Sequence, residues 1–309
     1  MTKYLVETYP KVLHEMDNDA GTDPWCRTYE QETLMHRACI QRKIELTKYL
    51  VETYPKMLHE VDNGKSTPAR HAGGNVAVLS YLIDRGTYPW FRTSEEETLL
   101  HRACIHGKIE MTIYLVETYP MMLHEVDNGK STPAHHAAAG GNVAILRYLI
   151  DRGPDPWYRT SEEKTLLHIA CIHGNLEMTK YVLITYPKML HEVDNGKKTP
   201  AHHAAVRGNV VVLSYLIDRG TDPWCRISEK EVLLHRACIQ RKIEMTKHLV
   251  ECYTKMLHEV KNGKSTQAQN DAAGGNVALL SYLIDLAQIH CVDPLRKRHC
   301  CTEHAFTES

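Results

Sequence analysis

Apolar residues recur along this chain at the spacing of short amphipathic helices arranged in pairs. Between Val143 and Ile150 the apolar positions Val143, Ile145, Leu146, Leu149 and Ile150 form one stripe of a helix. The segment before it, Ala134 to Ala139, is made of small residues and histidines, which suits a helix that a neighbour approaches closely. Thr132 followed by Pro133 carries the N-cap and first-position signature of a helix start. Gly140, Gly141 and Asn142 break this first helix. The second is expected to stop at Gly153, the residue type that tolerates a left-handed C-terminal position, and Pro154 and Pro156 prevent continuation. The unit is therefore helix, tight turn, helix, then a longer connection.

The same pattern returns at a fixed interval. TLLHRACIHGKIEMTIYLVETYPMMLHEVDNGKS, beginning at Thr98, comes back from Thr165 and again from Val232, 67 residues apart each time, with a further copy from Thr33. The interval divides into a 34-residue and a 33-residue unit. A period of this size predicts a solenoid, whose stacked units share one continuous core. In the long unit Tyr54-Pro55, Tyr119-Pro120 and Tyr186-Pro187 stand where the short unit has glycine, and the proline ends the helix. The extra residue of the long unit falls around Met121 to Glu125. Asp127-Asn128-Gly129 predicts a tight turn in which Asn-Gly supplies the positive φ angles.

The pattern T-P-x-H-x-A-A, then G-N, V-x-x-L-x-x-L-I and G-x-D resembles the ankyrin repeat. Thr132, His135, Ala137, Ala138, Gly141, Leu149 and Gly153 stand where that family places them. The resemblance implies an all-α ankyrin-repeat solenoid of helix-turn-helix units with hairpin finger loops along one edge. It delimits eight repeats, at 33–66, 67–97, 98–131, 132–164, 165–198, 199–231, 232–265 and 266–290. Residues 1–19 match only the second helix of a long unit, 20–32 form a finger loop left by a partial deletion, and 291–309 are expected to be a disordered tail. The unit from Thr67 is two residues shorter than its siblings, so its first helix should be stunted. Arg42 and Arg241 replace the turn glycine found at Gly107 and Gly174, at about 1 kcal/mol if φ is positive there.

Composition and charge narrow the function. Net charge is −1, which favours neither nucleic acid nor an anionic membrane. No apolar run approaches the roughly 18 residues of a membrane span. Four of the ten cysteines, Cys39, Cys104, Cys171 and Cys238, share one helical position and read as small buried apolar residues. Thiols in this number fit a reducing compartment, so an intracellular and cytoplasmic location is expected. Gly-Lys-Ser-Thr at 64–67, 129–132 and 263–266 mimics part of a phosphate loop, but His59, His124 and His258 occupy the position that needs glycine. Six of the twenty histidines (His36, His101, His135, His168, His202, His235) sit at the T-x-x-H position, where local hydrogen bonding is expected. The tail residues His290, Cys291, His299, Cys300, Cys301 and His304 have ligand types without a zinc spacing. No convergent catalytic set emerges; no cofactor, metal, nucleic acid or small-molecule substrate is expected.

The candidate binding residues are Trp25, Arg27, Trp90, Arg92, Trp157, Arg159, Trp224 and Arg226, which hold all four tryptophans in one repeated finger motif. Trp and Arg are the types most enriched at binding hot spots. Two readings stay open: a partner-facing ladder, or tryptophans packed between fingers and copied by duplication. Finger charge alternates between lysines (Lys65, Lys130, Lys197, Lys198, Lys264) and glutamates (Glu95 to Glu97, Glu162, Glu163, Glu229), which could pair in solvent or select a partner's register. The expected function is a non-catalytic scaffold or adaptor that binds a protein partner. The alternative is a regulatory or targeting ankyrin segment of a larger signalling, channel or enzyme chain.

Overall fold

The computed structural model describes residues 25–72, 74–90 and 92–222, with the strand residues 260–261 and 265–266. The chain divides into two compact units, Met1–Ser161 and Glu162–Ser309. In the first, the long repeats supply α1 (Leu34–Ile40), α2 (Ile44–Thr53), α4 (Leu99–Ile105) and α5 (Ile109–Thr118). The short repeats supply a 3-10 turn (Pro68–Ala72) with α3 (Val76–Asp84), then α6 (Pro133–Gly140) and α7 (Val143–Ile150). In the second unit α8 (Leu166–His173) and α9 (Leu176–Thr185) precede α10 (Pro200–Arg207) and α11 (Val210–Asp218). A finger of that unit pairs β1 (Val260–Lys261) antiparallel with β2 (Ser265–Thr266).

Each unit is two layers. First helices pack on first helices, α4 on α6 and α8 on α10, while second helices form the other layer, α5 on α7 and α9 on α11. Stacked helix pairs, as the period and the resemblance to the ankyrin repeat imply, are therefore the architecture of each unit. α4 buries Leu99, Leu100, Ala103 and Cys104, and α5 buries Met111, Leu115 and Val116. Each such leucine taken from water contributes about 1.5–3 kcal/mol. Cys39, Cys104 and Cys171 are completely buried, and burial pushes each thiol up to about 12. They are core residues.

The extra residue of the long unit is absorbed by a 3-10 turn after the Tyr-Pro pair, Pro55–His59, Pro120–His124 and Pro187–His191. These turns bury a Met-Leu pair such as Met122 and Leu123. The stunted first helix of the repeat from Thr67 is the 3-10 turn itself. Two expectations need correction. Positive φ in the long fingers falls on Lys65, Lys130 and Lys197 (55–56°), not on Asn-Gly. The cause is the preceding aspartate: Asp127 Oδ1 accepts from the amides of Gly129 and Ser131 at 2.8 and 2.7 Å, which pins the turn early and leaves the inversion to Lys130. Likewise α7 ends at Ile150 with Asp151 as its cap, and Gly153 makes its left-handed step (φ 113°) beyond the helix.

Arg42 has φ 57°, beside 68° and 73° at Gly107 and Gly174. The half repeat 1–19, the start of the loop 20–32 (20–24), the end of repeat 199–231 (223–231), repeat 232–265 with Arg241 except for residues 260, 261 and 265, repeat 266–290 except Thr266, and tail 291–309 lie outside the described residues. Arg42→Gly and Lys130→Gly should each raise stability by about 0.5–1 kcal/mol, because glycine removes a left-handed Cβ penalty. Urea denaturation of the full chain measures this as a higher midpoint.

Candidate functional site

The described surface is organised by a histidine that links each long repeat to the finger after it. Thr98 caps α4, and the third helical residue is His101 rather than the usual Glu or Gln of a capping box. Thr98 N–H donates to His101 Nδ1 at 3.1 Å. Nε2 therefore carries the proton and donates to the Ser131 carbonyl of the following finger at 3.0 Å. His36 does the same to Ser66, and His168 to Lys198. Burial lowers the His101 pKa to about 4, with the neighbouring His136 adding to the effect. The adjacent helix presents His136 edge-on to His101, 4.9 Å between centroids, and its Nε2 lies 2.9 Å from Asp127 Oδ2. Burial alone would raise the Asp127 carboxyl; the hydrogen bonds from His136, Ser131 and Gly129 overcome it and hold it below its ordinary value. The T-x-x-H expectation of local bonding holds for His36, His101, His135, His168 and His202, while His235 lies outside the described residues. The bond across repeats made by His36, His101 and His168 is additional.

The fingers are joined by three further devices. Asn128 N–H donates to Glu95 O at 3.0 Å and its side-chain amide to Ser94 O at 3.1 Å, with Asn63 doing the same to Glu30 and Tyr29. Arg92 donates to Glu96 O and Val126 O at 2.9 and 3.0 Å and pairs with Glu125; Arg27 repeats this with Gln31, Val61 and Glu60. Trp25 and Trp90 meet the Tyr54 and Tyr119 rings of the next Tyr-Pro edge-on, at 6.3 and 6.4 Å.

The candidate residues thus divide. Arg27 and Arg92 are engaged within the protein, while Trp25 is 38% exposed and Trp90 and Trp157 are half-buried. Arg159 is also half-buried, and the Trp157 amide donates to Asp155 Oδ1 at 2.9 Å. Trp224 and Arg226 lie outside the described residues. Sequence reasoning missed the arginine–glutamate ties, although the 33-residue separation of Arg27 from Glu60 and of Arg92 from Glu125 is visible once repeats are aligned. Among the described residues, those arginine pairs join these fingers.

Among the described residues one group, Glu32, Asp62 and His71, places metal-compatible atoms within 4.8 Å of one another. Asp62 Oδ2 already lies 2.7 Å from His71 Nε2, and Glu32 faces Arg37 at 3.5 Å, so the atoms serve each other. Buried thiols held near pKa 12 are poor nucleophiles.

Two outcomes follow from the linkers. Because the folded state keeps His101 neutral, acid protons go first to the unfolded chain. Stability should be complete above pH 6.5 and fall towards pH 4, by on the order of 3 kcal/mol for a histidine shifted this far. The His101 ring proton, followed by NMR, should titrate below pH 5. Arg92→Ala, which removes two carbonyl bonds and an ion pair, should cost about 1–2 kcal/mol in urea unfolding.

A family model for three copies of the ankyrin repeat matches residues 69–160 and 152–227, together just over half of the chain. The chain is similar to the transient receptor potential cation channel subfamily A member 1 homolog of Caenorhabditis elegans, 29% identical over 54% of this chain and 14% of that protein. It is also similar to the NF-kappa-B inhibitor alpha of Sus scrofa, 27% identical over 45% of this chain and 47% of the other. The crystal structure of the human ASB11 ankyrin repeat domain superposes with a TM-score of 0.59 at 23% identity, covering 71% of this chain and 97% of that one. The chain spans less than half the length of eight curated relatives that it matches, between 8% and 47%. Among the described residues no helix is long and apolar enough to cross a membrane. Ankyrin repeats generally mediate protein–protein interaction and are generally not enzymatic. The repeated Thr-His caps, the helix pairs and the family match agree that this chain belongs to the ankyrin-repeat family.

Proposed function

We propose that the chain is a non-catalytic scaffold that binds a protein partner along its finger tips and first-helix face. The observation that carries this reading is the preorganisation of the fingers. Their backbones are tied to one another through Asn128 and Arg92, while Ser94, Glu95, Glu96, Asn128 and Lys130 at the tips stay exposed. A surface held in one geometry loses little conformational entropy on binding. In this reading the partly exposed Trp25, Trp90 and Trp157 face the partner, and Trp224 belongs to the same repeated motif. Arg27 and Arg92 set the spacing of the rungs, and Arg159 and Arg226 stand at the same motif position in the sequence. The buried thiols support an intracellular, cytoplasmic setting.

A second reading is a regulatory or targeting segment of a longer signalling, channel or enzyme protein. It is favoured by the small share of each relative that the chain spans; those relatives include a cation channel and a palmitoyltransferase by name.

A photo-crosslinking residue placed singly at Ser94, Glu96, Ser80 or Lys180 separates finger from outer-helix docking. Adducts in cell extract should form from the two finger positions, and their yield should fall at least severalfold on Trp90→Ala without loss of folding. Adducts confined to Ser80 and Lys180 would contradict the finger face.

A further inference from the structure

The repeat at 67–97 departs from its siblings in two ways that meet at one place. Where the other described short repeats carry His135 and His202, it carries Arg70, and it lacks two residues of the alanine run before Gly-Gly-Asn. Without the capping imidazole, Thr67 Oγ1 is buried and has no hydrogen-bond partner. Without the two residues, the asparagine that follows changes its job. Asn142 Nδ2 reaches back to the carbonyls of Cys104 and Ile105 at 2.7 and 3.3 Å, and Asn209 binds Cys171 and Ile172 in the same way. Asn75 instead caps its own helix, accepting from Val78 N at 3.1 Å.

The missing helical turn leaves a cavity of about 350 Å³ flanked by α1 on one side and α4 on the other. Ile40, Leu79, Leu99 and Met111 give it apolar walls. Arg42, Arg70, Arg102 and Lys108 give it four cations. Lys108 runs so close to the turn that a Cβ on Gly74 would lie 2.7 Å from its Cδ. Arg70 is half-buried while Arg42 and Arg102 are exposed, and its Nη1 is buried with no hydrogen-bond partner. Glu97, Asp62 and Glu95 act on Arg70 through space, but none supplies Nη1 with a hydrogen bond. Asp62 holds His71 and the Ser66 amide, and Glu97 faces Arg102 and His136, each at 3.9 Å. A buried guanidinium nitrogen without an acceptor is an unmet demand that an oxyanion satisfies well. The volume suits a ring-sized body with an anionic head, at the lower end of small-molecule sites.

We propose that this cavity binds a small organic phosphate, its apolar body against Leu79 and Met111 and its phosphate at Arg70, with Arg42, Arg102 and Lys108 at the rim. The site belongs to this repeat alone among the described ones, because it needs both the Arg70 substitution and the shortened helix.

Isothermal titration calorimetry of the full chain with phenyl phosphate tests the site, with inorganic phosphate, benzoate and benzyl alcohol as the other arms. Phenyl phosphate should bind saturably and more tightly than any of the three. Arg70→His, which restores the residue of the sibling repeats and is compatible with their fold, should weaken it about tenfold or more. Inserting two alanines after Ala72 should fill the cavity and abolish binding. No binding of phenyl phosphate to the wild type, or equal binding to Arg70→His, would overturn the proposal. Inorganic phosphate as tight as phenyl phosphate would remove the apolar body, and benzyl alcohol as tight would remove the charge; either result overturns the ligand class.

Discussion

Everything described in this array hangs on a neutral imidazole placed at the third residue of a short helix. The ring accepts from the amide of the threonine that starts its own helix and donates to a carbonyl about thirty residues further on. One group thus completes a helix start and fixes the distance to the next finger. Its neutrality is a condition of the geometry, since a second ring proton would meet the threonine N–H head-on. Burial secures that neutrality, and the apolar faces of α4 and α6 supply the burial. The aspartate–histidine pair beside it then has a fixed wall to lean on.

Much of this was legible before any coordinates. Helix pairs, their period, the stunted repeat at Thr67 and the left-handed Arg42 follow from spacing and residue type, because these features are local and stand out against a repeated pattern. The contacts that were not legible run between repeats. Arg92 to Glu125 and Asn142 to the Cys104 carbonyl span 33 and 38 residues, and periodicity along one strand of text does not say which polar side chain reaches across. Turn chemistry failed for a related reason. Asn-Gly advertises a left-handed step, yet the carboxylate of Asp127 gathers the amides first and moves that step to Lys130.

The tryptophans show the limit of residue-type reasoning at a site. Trp25 and Trp90 are as well explained by contact with Tyr54 and Tyr119 as by a partner, and Arg27 and Arg92 beside them are spent on internal bonds. The informative position is instead the one where the pattern breaks. Arg70 sits where the other described short repeats keep His135 and His202, next to a deletion that opens space for it. Regular copies define the scaffold; the irregular copy is where chemistry specific to this chain can be placed.

Lys65, Lys130 and Lys197 all hold the same left-handed backbone, as do Gln31, Glu96 and Glu163 in the alternate fingers. An array that grows by copying a 67-residue block inherits these uncomfortable residues with the same fidelity as its helix caps. Lengthening therefore multiplies the debit in step with the credit, and no module is better off than its parent. Only point changes made after copying can relieve a given finger, so the age of a duplication should be written in which of its lysines have become glycine.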